Sequence, residues 1–189
     1  PQDSLHFAAE AGAPVAVIYR RAGVAAFIGP TFAVKSPQEL ERLAQRAGGP
    51  APCPQDLPGQ PPGVILHDPN GVQVRVAWFD NWRELPPCGP SPPANRGPDR
   101  PRTNAPLRPA RRPSRVLRLG HMVLGTPRWE DTARFYIDTL GLIPSDVQAL
   151  PDGRPAVAFM RCDRGDAPAD HHTFLVARLP LLDFEHAAF

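Results

Sequence analysis

Leu119-Gly120-His121-Met122-Val123-Leu124-Gly125-Thr126-Pro127 decides the fold, because a short apolar strand runs directly into a helix-start signal. Thr126 offers a capping hydroxyl, and Pro127 stands where the missing N–H of a proline is harmless. Trp129, Ala133, Tyr136 and Leu140 then recur at helical spacing, and Gly141 supplies a stop, so a helix is expected from about Arg128 to Leu140. Strands are expected to follow at 156–161, 173–177 and 184–189.

The same succession occurs earlier in the chain. A strand candidate at 25–34 leads into Ser36-Pro37-Gln38-Glu39, a capping box with proline at the first helical position. Leu40, Leu43, Ala44 and Ala47 give the helix its apolar face, and Gly48-Gly49 ends it. Two strands, 64–66 and 72–77, flank the turn Asp68-Pro69-Asn70-Gly71, and residues 5–9 and 13–19 read as one further hairpin. The fold class expected is α+β, with two related β-α-β units.

Between them lies a segment with ten prolines over 86–113 and almost no β-branched or aromatic residue. Proline neither donates to a strand ladder nor fits a helix interior, so this reads as an extended linker. The expected division is 1–85, a linker at 86–115, and 116–189.

Three histidines carry the chemical interest. His121, His172 and His186 each fall in a strand-like run, and alternation groups them with Leu119 and Val123, with Phe174 and Val176, and with Phe184 and Ala188, so all three are expected to point at an apolar interior. Any one alone is most simply a hydrogen-bonded core histidine; three together suggest a metal site assembled across a sheet. His6 and His67 read as ordinary strand histidines.

Composition narrows the class. With 42% hydrophobic residues and no apolar run near the roughly 18 residues of a membrane span, a soluble chain without a membrane partner is expected, and no targeting segment is apparent. Cytoplasmic localisation follows as the expectation. The formal net charge of +2 implies no attraction to nucleic acid. Cys53, Cys88 and Cys162 are too scattered for a disulfide framework or a zinc knuckle.

The 119–127 stretch, together with Phe135-Tyr136-Ile137-Asp138-Thr139-Leu140-Gly141-Leu142, resembles the opening of a βαβββ module of the vicinal oxygen chelate superfamily. That superfamily includes glyoxalase I, bleomycin-resistance proteins and type I extradiol dioxygenases. The runs Arg161 to Asp166, Asp170-His171-His172-Thr173 and Glu185-His186-Ala187-Ala188-Phe189 are similar to those of two-domain dioxygenases of the dihydroxybiphenyl and catechol type. The resemblance implies paired βαβββ modules forming two partial domains, an N-terminal one without metal and a C-terminal one that binds it.

In that family two histidines and a glutamate hold Fe(II). The two histidines correspond to His121 and His186, while the glutamate has no counterpart in this chain. The arrangement leaves adjacent positions open for catechol oxygens and O2. A further family histidine, an acid/base, corresponds to His172, with His171 expected to face away. Glu185 should face the opposite side of the strand from His186, and Asp166 and Asp170 are poor substitutes. Arg75 stands where metal-binding relatives usually carry glutamate, which marks the N-terminal half as structural.

The resemblance thus implies an Fe(II) extradiol dioxygenase, with Mn(II) as an alternative metal, a catechol-type substrate, aromatic-hydrocarbon catabolism and a homo-oligomer in the intact protein. The chain is expected to be an internal fragment, truncated at both ends and not catalytically competent alone. A glyoxalase-like enzyme using Zn or Ni, and a metal-free binding protein of the bleomycin-resistance kind, stay open as alternatives.

Overall fold

A computed structural model describes residues 3–48, 61–85, 94–102, 104 and 113–189. The N-terminal half begins with a two-stranded hairpin, β1 (Ser4–Phe7) and β2 (Val17–Arg20), shorter than the expected runs. Strand β3 (Thr31–Val34) begins later than the apolar pattern suggests. Gly29 explains the late start: at φ +149° it lies so close to Gln73 that a Cβ would fall 1.6 Å from the Gln73 carbonyl oxygen.

Helix α1 (Pro37–Arg46) is capped as its sequence requires. Ser36 Oγ accepts from Glu39 N at 3.3 Å, the Glu39 carboxylate accepts from Lys35 N at 2.9 Å, and Leu40, Leu43 and Ala44 are buried. Gly48 follows with φ +59°, and Gly49 lies outside the described residues. Strands β4 (Gly63–His67) and β5 (Gln73–Trp78) form an antiparallel hairpin, with β3 added parallel to β5 in the order β3-β5-β4.

The C-terminal half repeats that order and extends it. It comprises β6 (His121–Thr126), α2 (Trp129–Asp138), β7 (Ile143–Ala149), β8 (Pro155–Arg161), β9 (Phe174–Arg178) and β10 (Asp183–Ala188), arranged β10-β6-β9-β8-β7 with β6 parallel to β9. One face of this sheet, through Met122, Leu124, Ala158, Met160, Phe174 and Val176, buries Trp129, Ala133 and Tyr136 of α2. Trp129 Nε1 donates to the Val176 carbonyl at 3.0 Å, so its one polar atom is satisfied inside that core.

Three local expectations change. Strand β7 was not anticipated, because Pro144, Ser145 and Asp146 are poor strand formers; its long pairing with β8 outweighs that. The apolar pattern of the sequence begins at Leu117, yet strand β6 begins only at His121. Thr126 ends β6 instead of capping α2, whose N-cap is Arg128, although Thr126 Oγ1 accepts from Arg128 N at 3.0 Å.

The two halves share one core. Val74 is fully buried within the C-terminal cluster, and Phe32 lies against Phe174 and Tyr136 with ring centroids 5.9 and 6.2 Å away. The Asp68–Gly71 turn docks at the start of α2. Asn70 donates to Thr132 Oγ1 at 2.9 Å and accepts from Thr126 Oγ1 at 2.7 Å, while Asp68 Oδ1 holds Asn70 N and Val72 N at 2.8 and 2.9 Å. Thr126 and Thr132 are fully buried, so this seam satisfies hydroxyls that would otherwise be stranded. A second seam joins Glu10 N and Ala11 N to the carbonyls of Val116 and Leu117 at 3.0 and 2.7 Å.

Within the expected linker, residues 94–102 and 104 form no helix or strand, and the rest of 86–112 lies outside the described residues, as do Cys53 and Cys88. Among the described residues no helix is long and apolar enough to cross a membrane.

Candidate metal centre

The face of the C-terminal sheet away from α2 carries the candidate site. Along β10, Phe184 pairs with Leu124 but His186 pairs with Val123, so Glu185 is an extra residue in a β-bulge. Directly opposed residues share a face, so Phe184 goes with the core-facing Leu124 while His186 joins Val123 and His121 on the other side. The alternation that groups His186 with Phe184 fails here, and so does the argument that sends Glu185 to the far face.

The consequence is a close histidine pair. His121 Nε2 and His186 Nε2 stand 3.3 Å apart across neighbouring strands. Two nitrogens about 2.1 Å from one ion, at tetrahedral or right-angle positions, are separated by roughly 3.0–3.4 Å, so the pair has the bite of two adjacent ligands. The same separation suits one N–H···N hydrogen bond between neutral rings. Burial, then the neighbouring His172 and His186, lower the pKa of His121, which favours the neutral imidazole that a metal needs.

His172 stands over this pair. It precedes β9 rather than lying on it, and its ring centroid is 4.5 Å from His121 and 5.4 Å from Phe159. His171 does not face away: its Nδ1 is 3.0 Å from His172 Nδ1. The expectation of an apolar interior also fails. His186 and His171 are exposed and His121 and His172 half-buried, although Val123 and Leu175 on the same face are buried. Phe159 on β8 and Leu175 on β9, paired with each other, form an apolar floor beside the histidines. Phe159 escaped the sequence reading, since a lone aromatic in an apolar strand looks like core until its facing is known.

No group of three His, Cys, Asp or Glu side chains among the described residues is placed to hold a metal ion. Asp170 is held by Arg118 at 2.7 Å, and Glu185 is exposed. The donor set present therefore fits two nitrogen ligands and leaves the remaining positions to other groups. The corresponding face of the N-terminal half is filled by Arg75, which is 2% exposed and donates to the Pro61 carbonyl, with Gly63 leaving room for its guanidinium. A shallow depression of about 430 Å³ at the seam, lined by Pro69, Arg128, Asp131, Arg134 and Phe135, contains none of the histidines.

No family model matches the sequence, and no curated protein matches it. Solved structures do. The Mn(II)-bound glyoxalase from Novosphingobium aromaticivorans aligns over 100% of this chain and 55% of its own, with TM-score 0.65 and 21% identity. A variant of homoprotocatechuate 2,3-dioxygenase from Brevibacterium fuscum aligns over 96% of this chain and 46% of its own, with TM-score 0.65 and 16% identity. The 2,3-dioxygenase LapB from Pseudomonas sp. KL28 aligns over 97% and 60%, with TM-score 0.67 and 16% identity. The chain has the α+β vicinal oxygen chelate fold and spans about half the length of these structures.

Proposed function

We propose that this chain contributes the metal-binding face of an Fe(II)-dependent extradiol dioxygenase acting on a catechol-type aromatic. The observation that carries the reading is the 3.3 Å pair of His121 and His186 with the His172 ring 4.5 Å from His121. His121 and His186 would hold the metal, and a carboxylate from outside the described set would complete the ligands. When bound, the metal supplies positive charge and adjacent open positions for two vicinal oxygens. Mn(II) would suit the same donors.

His172 would move the phenolic proton. Its Nδ1 is engaged by His171, which leaves Nε2 for the substrate. To accept a proton at Nε2, His172 must carry its hydrogen on Nδ1 and donate it to His171, so His171 sets the working tautomer. Phe159 and Leu175 would pack against the aromatic ring. In this reading residues 1–85 form a partial domain without metal, 86–115 a linker and 116–189 the partial metal-binding domain, working in a cytoplasmic homo-oligomer.

A glyoxalase-like reading with Zn or Ni draws support from the likeness to the Mn(II)-bound glyoxalase. Oxygen consumption separates the two. The chain is loaded anaerobically with Fe(II), supplied with a catechol and acetate as an exogenous carboxylate, and O2 is admitted. Uptake of one O2 per ring-cleaved product is expected. Stoichiometric metal binding without O2 uptake, alongside glyoxalase turnover with Zn or Ni, would replace this reading.

A further inference from the structure

The segment 162–173, which brings His171 and His172 to the site, contains no helix or strand. Its first part folds on itself: Gly165 N donates to Asp163 Oδ1 at 2.8 Å, Ala167 N to the Arg164 carbonyl at 3.2 Å, and Arg164 Nη1 to the Pro168 carbonyl at 2.9 Å. Its end is tied by Thr173 N, which donates to the Met160 carbonyl at 2.8 Å. Between these anchors, one ion pair fastens it to another part of the chain. Arg118 Nη2 lies 2.7 Å from Asp170 Oδ1 and 2.7 Å from Asp170 Oδ2.

The placement of this pair is its significance. Arg118 lies three residues before His121, and Asp170 two residues before His172. The pair thus links the segment leading into His121 to the segment leading into His172. We propose that the Arg118–Asp170 pair is a positioning device that holds the His172 ring over His121 and against Phe159. This rests on the reading of His172 as the proton-transfer group. Both partners are partly exposed, with side chains 34% and 46% accessible, and such pairs add little to global stability. Misplacing a proton-transfer group by about 1 Å can nonetheless cost roughly 10²-fold in rate. The carboxylate holds both the charge and the shape of the link, so an isosteric amide should loosen it.

The test reads ring position directly, by aromatic nuclear Overhauser cross-peaks between His172 and Phe159 and between His172 and His121 in the metal-free chain. Asp170→Asn and Arg118→Gln should each cut these cross-peaks at least twofold while moving Tm by no more than about 2–4 °C. The exchanged pair Arg118→Asp with Asp170→Arg should restore them. Unchanged cross-peaks in both single variants, or no recovery in the exchanged pair, would overturn the proposal. In the metal-loaded protein the single variants should lower kcat and leave metal affinity unchanged. If the cross-peaks respond as expected but His172→Ala leaves turnover intact, the positioning role stands and the proton-transfer reading falls.

Discussion

His186 faces Val123 across the β10–β6 pair, although two residues earlier Phe184 faces Leu124. Uninterrupted pairing from Phe184 would set His186 against Met122, on the side buried under α2. The extra residue, Glu185, turns the imidazole onto the face of His121. Deleting Glu185 leaves His186 opposite Val123 in a regular ladder, so the variant should keep its metal affinity within about threefold, less than the ~10-fold expected even for an outer-shell loss. A larger fall in a metal titration would show that the bulge aims the ring as well as setting its face.

The histidine pair makes a sharper prediction. His121→Ala and His186→Ala should each weaken Zn(II) or Fe(II) binding by at least the roughly 10- to 100-fold that loss of an outer-shell partner costs. Isothermal titration measures this. Because His186 is exposed and His121 only half-buried, far-UV circular dichroism should be unchanged. Equal affinity in the variants would reduce the pair to a hydrogen bond.

His172→Ala should retain metal and lose roughly 10²- to 10⁴-fold in turnover under the dioxygenase reading. His171→Ala should lower turnover less, by freeing the His172 tautomer. Loss of bound metal in His172→Ala would reclassify it as a ligand.

At the seam, Asn70→Ala removes the partner of two buried hydroxyls, Thr126 and Thr132. Destabilisation of roughly 1–3 kcal/mol is expected, measured by urea unfolding. A single transition should persist, since the halves share a core.

Tyr136 is fully buried and its hydroxyl has no hydrogen-bond partner among the described residues. Burial first, then the Asp68 carboxylate, raise its pKa well above the ordinary tyrosine value. The unfolded chain therefore loses this proton first, so stability present below about pH 10 is lost as pH rises beyond it. Tyr136→Phe should be neutral or stabilising at pH 7, and its Tm should fall less steeply than that of the parent between pH 9 and 11. A steeper fall would locate the alkaline sensitivity elsewhere.

Much of the fold was legible because it is local. The Ser36 cap, the buried face of α1 and the Asp68–Gly71 turn are written in adjacent residues, and His121 and His186 were singled out by strand pattern and family likeness. What escaped depends on neighbours far along the chain. A period of two cannot reveal an extra residue at Glu185, so it sets Phe184 and His186 on one face where the bulge separates them. Nor can it show that His171 and His186 stay exposed, that Arg118 reaches Asp170, or that Asn70 meets Thr126 and Thr132. Strand β7 was hidden by Pro144 and Asp146, whose poor propensity its partner β8 overrides.

The seam around Asn70 and Val74 changes what the proline-rich connection has to do. Two bodies already joined by buried contacts need little from the peptide between them except to keep each within reach of the other. By the logarithmic law of loop closure, doubling the length of such a tether costs only about 0.6 kcal/mol. A protease cut within it should therefore yield two fragments that stay together as a non-covalent complex.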